Sequence, residues 1–165
     1  MSTKDAALQA LSQALRLEQE GRAFYLQAAK DTVDEKGQAM FLSLADDEAK
    51  HADMIQRQFH AIEGGGDYVL LPDLQVAEID LGKKLFPPDA DAIRGAADQA
   101  TNELEVLHLA LDNEIKSYDL YCEAADSTED DAGRAMYAWL AQAERQHFDL
   151  LMSNWESLTA MGGWV

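Results

Sequence analysis

The chain is 165 residues long, the size of one domain with a single hydrophobic core. It carries 31 acidic against 13 Lys and Arg residues, a formal charge of −18, which argues against a binder of phosphate backbones or anionic lipid. An apolar fraction of 47% argues against an acidic disordered chain, and a lone cysteine, Cys122, rules out an intrachain disulfide and any C-x-x-C motif.

No signal-peptide pattern opens the sequence, and no apolar run reaches the roughly 18 residues of a membrane span. The expectation is a cytoplasmic globule with no nucleic-acid and no membrane partner. Residues 4–31 are rich in Ala, Leu, Gln, Glu and Arg, all strong helix formers, with an inward stripe through Leu8, Leu11, Leu15, Glu18 and Leu26. A second helix is predicted over about 34–63, through Met40, Phe41, Leu44, Ile55 and Phe59, with Thr32 and Glu35 as its N-terminal capping pair. A third is predicted over about 102–126, with Asn102 and Glu105 as its cap, and a fourth over about 131–158. Helices of about 25 residues are rods of about 37 Å, which bury such stripes best as a four-helix bundle. The short connections near 31–34 and 127–130 make two antiparallel hairpins. Residues 64–101 hold all three prolines and form a long crossover, with a short helix expected around 89–97. The chain therefore reads as one domain over 1–165: hairpin 1 about 4–63, crossover 64–101, hairpin 2 about 102–158.

The hairpins repeat. A shift of 96 residues aligns 15–62 with 111–158 without a gap. It pairs Tyr25 with Tyr121, Thr32 with Thr128, Gly37 with Gly133, Met40 with Met136 and Leu44 with Leu140. The repeat also sorts the polar residues. Glu20 faces Lys116, Asp46 and Asp47 face Gln142 and Ala143, His60 faces Glu156, and His108 faces Ser12. Two glutamate pairs survive, Glu18 with Glu114 and Glu48 with Glu144, and one histidine pair, His51 with His147.

Glu48-x-x-His51 and Glu144-x-x-His147 each set a carboxylate and an imidazole on one helix face, within an apolar stripe. Glu18 and Glu114 lie within the stripes of the other two helices. Four buried carboxylates are prohibitive as bare anions, and two divalent cations cancel their charge. One Glu from each of two helices plus Glu-x-x-His from each of the others is a di-metal carboxylate inventory. With imidazole present and thiolate absent, it favours iron or manganese over structural zinc. By symmetry, Glu48 and Glu144 are expected to bridge, Glu18 and Glu114 to bind terminally, and His51 and His147 to cap one metal each. Tyr25 and Tyr121, two turns beyond the terminal glutamates, are placed to hydrogen-bond a ligand carboxylate. Asp53 and Asp149 are read as solvated, Met40 and Met136 as core, and Cys122 as a small buried apolar residue. The tail Met161–Val165 is read as a loop or a dimer contact.

Glu18 with Arg22 and Tyr25, Glu48-x-x-His51, Glu114 with Tyr121, and Glu144-x-x-His147 resemble the rubrerythrin branch of the ferritin-like superfamily. The resemblance covers both hairpins. It implies a ferritin-like four-helix bundle and a non-haem centre of two iron ions, with manganese or a mixed pair left open. It also implies reaction with hydrogen peroxide or O2, commonly as an NADH-linked peroxidase fed through rubredoxin. The sequence departs from that pattern twice. It carries no rubredoxin domain, so electrons would come from a separate protein such as rubredoxin. Family members also place an extra glutamate one turn after the third-helix ligand, where this chain has Ser117 and, in the other half, Gly21. Three functions are thus carried forward: peroxide or O2 chemistry in oxidative-stress defence, iron oxidation or buffering, and a structural bundle with an empty site. A homodimer is expected, with hairpin exchange between chains left open.

Overall fold

The computed structural model describes residues 2–71 and 102–165. Four helices occupy these residues: α1 Thr3–Asp31, α2 Glu35–Glu63, α3 Asn102–Ser127 and α4 Asp131–Met161. α1 packs along α2, α3 along α4, and α1 also meets α3. The expected helix around 89–97 and most of the crossover lie outside the described residues. No helix among the described residues is long and apolar enough to cross a membrane.

Polar side chains end the helices where the backbone runs out of partners. Ser2 and Asp5 form a reciprocal capping box at the start of α1. Asp34 caps α2 by accepting from Lys36 N and Gly37 N, and Asp130 accepts from Gly133 N at the start of α4. Thr32 therefore does not cap α2, as its spacing to Glu35 predicts. It closes α1 instead, where its hydroxyl donates to Ala28 O at 2.7 Å, as Thr128 donates to Ala124 O. Asn102 is itself the first residue of α3, and the position before it lies outside the described residues. Gly162 ends α4 at φ +73°, a left-handed position that glycine takes without strain.

The core runs the length of both hairpins, through Leu11, Phe41, Leu44 and Ile55 and through Leu107, Met136, Tyr137, Leu140 and Leu151. Leu26 is not part of it. That side chain is 38% exposed, because its neighbour Tyr25 takes the inward position one residue earlier. Cys122 is half-buried rather than buried, and burial raises its thiol pKa.

The repeat extends past the helices into two arms. Gln58 bonds both backbone groups of Val69, at 2.7 and 2.8 Å, and Asn154 accepts from Val165 N at 3.1 Å. These residues, with Tyr68 and Trp164, again differ by 96 positions. Tyr68, from the segment after α2, lies over Gly133 of α4, while Trp164, from the segment after α4, lies over Gly37 of α2. A Cβ at either glycine would come within 2.9 Å of the ring above it. The C-terminal tail is thus not a free loop: Trp164 is 6% exposed and meets Phe41 edge-on, although Met161 and Val165 remain in solvent.

Candidate metal centre

Glu18 on α1, Glu48 and His51 on α2, Glu114 on α3, and Glu144 and His147 on α4 converge in the middle of the bundle, each 5% exposed or less. Their donor atoms form two overlapping sets. Glu18, Glu48, His51 and Glu144 make one, Glu48, Glu114, Glu144 and His147 the other, and within each set the atoms lie within 4.8 Å of one another. Glu48 and Glu144 belong to both. His51 Nδ1 lies 3.2 Å from Glu18 and 3.3 Å from Glu144. His147 Nδ1 lies 3.2 Å from Glu48 and 3.5 Å from Glu114. The two imidazoles stack with ring centres 5.5 Å apart.

Among the described residues, Glu48 Oε1, Glu114 Oε2, Glu144 Oε1 and His147 Nδ1 are buried without a hydrogen-bond partner. Such atoms are rare in folded proteins, and four of the six among the described residues belong to this one cluster, the others being His108 Nδ1 and Trp164 Nε1. Acceptor-rich oxygens and ring nitrogens left unbonded around a common point suit a pair of divalent cations.

The tyrosines reach from one hairpin to the other. Tyr25 of the first hairpin donates to Glu114, and Tyr121 of the second donates to Glu18. Burial first, then the adjacent carboxylates, raises both phenol pKa values far above the ordinary range, so both stay protonated donors. Each also stacks on an aromatic of its own hairpin, Tyr25 on Phe41 and Tyr121 on Tyr137.

Without cations the cluster is electrostatically frustrated. Burial, and then crowding by neighbouring glutamates, raises the pKa values of Glu48 and Glu144 well above the carboxylate range. Burial works in the same direction at Glu18, but hydrogen bonds from His51 and other neighbours outweigh it and lower that pKa. At His147 burial opposes the charged ring, yet the bond to Asp47 and the nearby Glu114 and Glu48 carboxylates raise it to about 12. These shifts have a sign. Groups raised in the folded state contribute stability that is complete below their unfolded values, 4.5 for glutamate and 6.5 for histidine, and lost as pH rises through the folded values. The melting temperature of the metal-free protein, followed by circular dichroism with a chelator, is therefore expected to fall as pH rises above about 5. With metal bound the fall should vanish, because the cation replaces the protons. A flat profile for the metal-free protein would contradict this account.

A cleft of about 190 Å³ leads from the surface between α1 and α3 to Glu48, Glu114 and Glu144. Gly21 lies along it, and a Cβ there would stand 2.9 Å from Glu48 Oε2. Glycine at this position thus makes room for the carboxylate. Leu17 and Phe24 give the cleft an apolar side, Asn113, Lys116 and Ser117 a polar one.

The polar residues that the repeat sets aside lie outside the cluster. Asp53 is exposed and pairs with Arg57 at 2.6 Å, His60 is exposed beside Glu63, Asp149 is exposed, and His108 lies 3.7 Å from Asp112. One residue that the repeat sets aside nevertheless touches the cluster. Asp47 Oδ2 lies 3.2 Å from His147 Nε2, although its repeat partner is Ala143. Trp139, edge-on to His51 at 5.5 Å, also escapes the repeat comparison.

Comparison with curated proteins and with solved structures finds no match. The model of one family, Rubrerythrin, matches residues 9–154, a span that takes in both hairpins and all six clustered residues, and the chain belongs to that family.

Proposed function

We propose that the chain is a non-haem di-iron protein that reacts with a small oxidant, hydrogen peroxide or O2, in defence against oxidative stress. The observation that carries this reading is the cleft, which connects solvent to the two shared carboxylates of an otherwise buried cluster. In this reading Glu18 and His51 hold one ion, Glu114 and His147 the other, and Glu48 and Glu144 serve both. Manganese or a mixed pair fits the same donors. Such a pair, when bound, supplies electrons one per metal to the oxidant. Tyr25 and Tyr121 keep Glu114 and Glu18 in place by donating to them. Leu17 and Phe24 limit water beside the site, while Asn113 and Ser117 give an incoming polar molecule partners. The chain has no C-x-x-C motif, so a separate donor such as rubredoxin would return the electrons.

A second reading, iron oxidation or buffering, is favoured by two observations. The positions where the family's extra glutamate would stand are Ser117 and Gly21, and the acidic excess concentrates cations. Stopped-flow mixing of the diferrous protein separates the two. Peroxide is expected to react faster than O2, with iron uptake stopping at two ions per chain. A peroxide reaction no faster than that of O2, or loading well beyond two, would overturn the peroxidase reading. Ser117→Leu, which narrows the cleft without touching a donor, should slow the peroxide reaction roughly tenfold or more, about 1.4 kcal/mol of barrier. Its iron content should stay at two.

A further inference from the structure

We propose that the two metal positions are inequivalent, and that Asp47 makes the position built on His147 the first to fill. The proposal rests on the di-metal reading above. The shift of 96 residues maps every donor of one position onto a donor of the other, so a strictly repeated site would hold its two ions alike. The symmetry breaks within reach of the donors at Asp47, whose partner is Ala143.

The break is directional. His147 turns Nδ1 toward Glu48 and Glu114 and Nε2 toward Asp47 Oδ2 at 3.2 Å. An imidazole that donates Nε2–H to a carboxylate keeps its tautomer, so the Nδ1 lone pair faces the cation. Its ring is also held against rotation. Lys50 lies 3.5 Å from the other oxygen, Oδ1, and so leaves Oδ2 to the histidine. His51 turns Nδ1 inward in the same way, toward Glu18 and Glu144. The residue that the repeat sets in the place of Asp47 is Ala143, which has no side-chain acceptor, and the His51 ring meets the edge of Trp139. Packing against Trp139 restrains the ring but selects no tautomer. Among the described residues, then, a carboxylate orients the His147 ring for a cation and none is shown to do so for His51. Carboxylate partners of metal-bound histidines are worth about 10–100-fold in affinity.

Asp47 acts here as a positioning residue, and its effect is read on the rings rather than on turnover. Histidine labelled with 15N is incorporated into the full chain, and Zn2+, which is diamagnetic, is added stepwise while the assigned ring nitrogens of His51 and His147 are followed by NMR. The first equivalent is expected to move His147, the second His51. Asp47→Asn should weaken the first step about 10–100-fold and make both rings move together. The double variant Asp47→Ala with Ala143→Asp should reverse the order. A loss of general packing would lower both affinities without reversing anything. The proposal is overturned if the wild-type rings move in parallel while two zinc ions bind, if His51 moves first, or if the order survives Asp47→Asn. If no zinc binds to the wild-type chain, the di-metal reading itself fails, and this proposal with it.

Discussion

Glu48→Gln is expected to shift two measurements in opposite directions. Glu48 is buried, contributes to both donor sets and has a pKa raised by burial and then by its carboxylate neighbours. Gln keeps its shape and removes its charge. The metal-free protein should therefore gain stability at neutral pH, because a buried acid whose charged form is disfavoured is gone. Metal binding should fall about 100-fold or more at both positions, since even residues behind the ligands matter at the upper end of 10–100-fold. Isothermal titration with Fe2+ or Mn2+, paired with melting curves in chelator, reads both. His147→Ala should also lose metal, while His60→Ala should change neither, because His60 stands exposed beside Glu63. A Glu48→Gln protein that binds two ions with undiminished affinity would place the metal elsewhere.

Trp164→Ala should be strongly destabilising although it lies outside the cluster. The ring is 6% exposed, covers Gly37 and meets Phe41 edge-on, with ring centres 5.7 Å apart. Truncating a buried tryptophan costs about 3–5 kcal/mol. For a chain of this size that lowers the melting temperature by roughly 6–20 °C. Gly37→Ala should produce part of the same loss from the other side, because its Cβ would come within 2.8 Å of the Trp164 ring. Both variants should still bind two metal ions at 25 °C, since every donor remains. A melting temperature within about 2 °C of wild type for Trp164→Ala would mean that the arm contributes little to the bundle.

The helices and short connections are legible in the sequence because apolar periodicity and strong helix formers agree over long stretches. The six clustered residues are legible because duplication marks them twice. The losses have particular causes. Leu26 looks inward by spacing, but a helix turns 100° per residue and Tyr25 claims the core side. Thr32 has the composition of a cap, yet Asp34, two residues on, sits where its carboxylate reaches two free N–H groups. The arms are hidden because Tyr68 with Trp164 and Gln58 with Asn154 are similar pairs rather than identical ones. Asp47 is lost to the comparison that finds its neighbours. That comparison keeps what the halves share, and Asp47 serves a place where they differ.

The crossed arms and shared donors have a consequence for molecularity. Each set of donors takes three residues from one hairpin and one from the other, and each hairpin is clasped by the arm of its twin. Two separate half-chains would have to meet before either position existed, and their capacity for metal would vary with dilution. In one chain the encounter is intramolecular and occurs at a fixed effective concentration. Where both hairpins of a site belong to one chain, its assembly is thus a first-order event, and only exchange of hairpins between chains would make it depend on how many copies surround it.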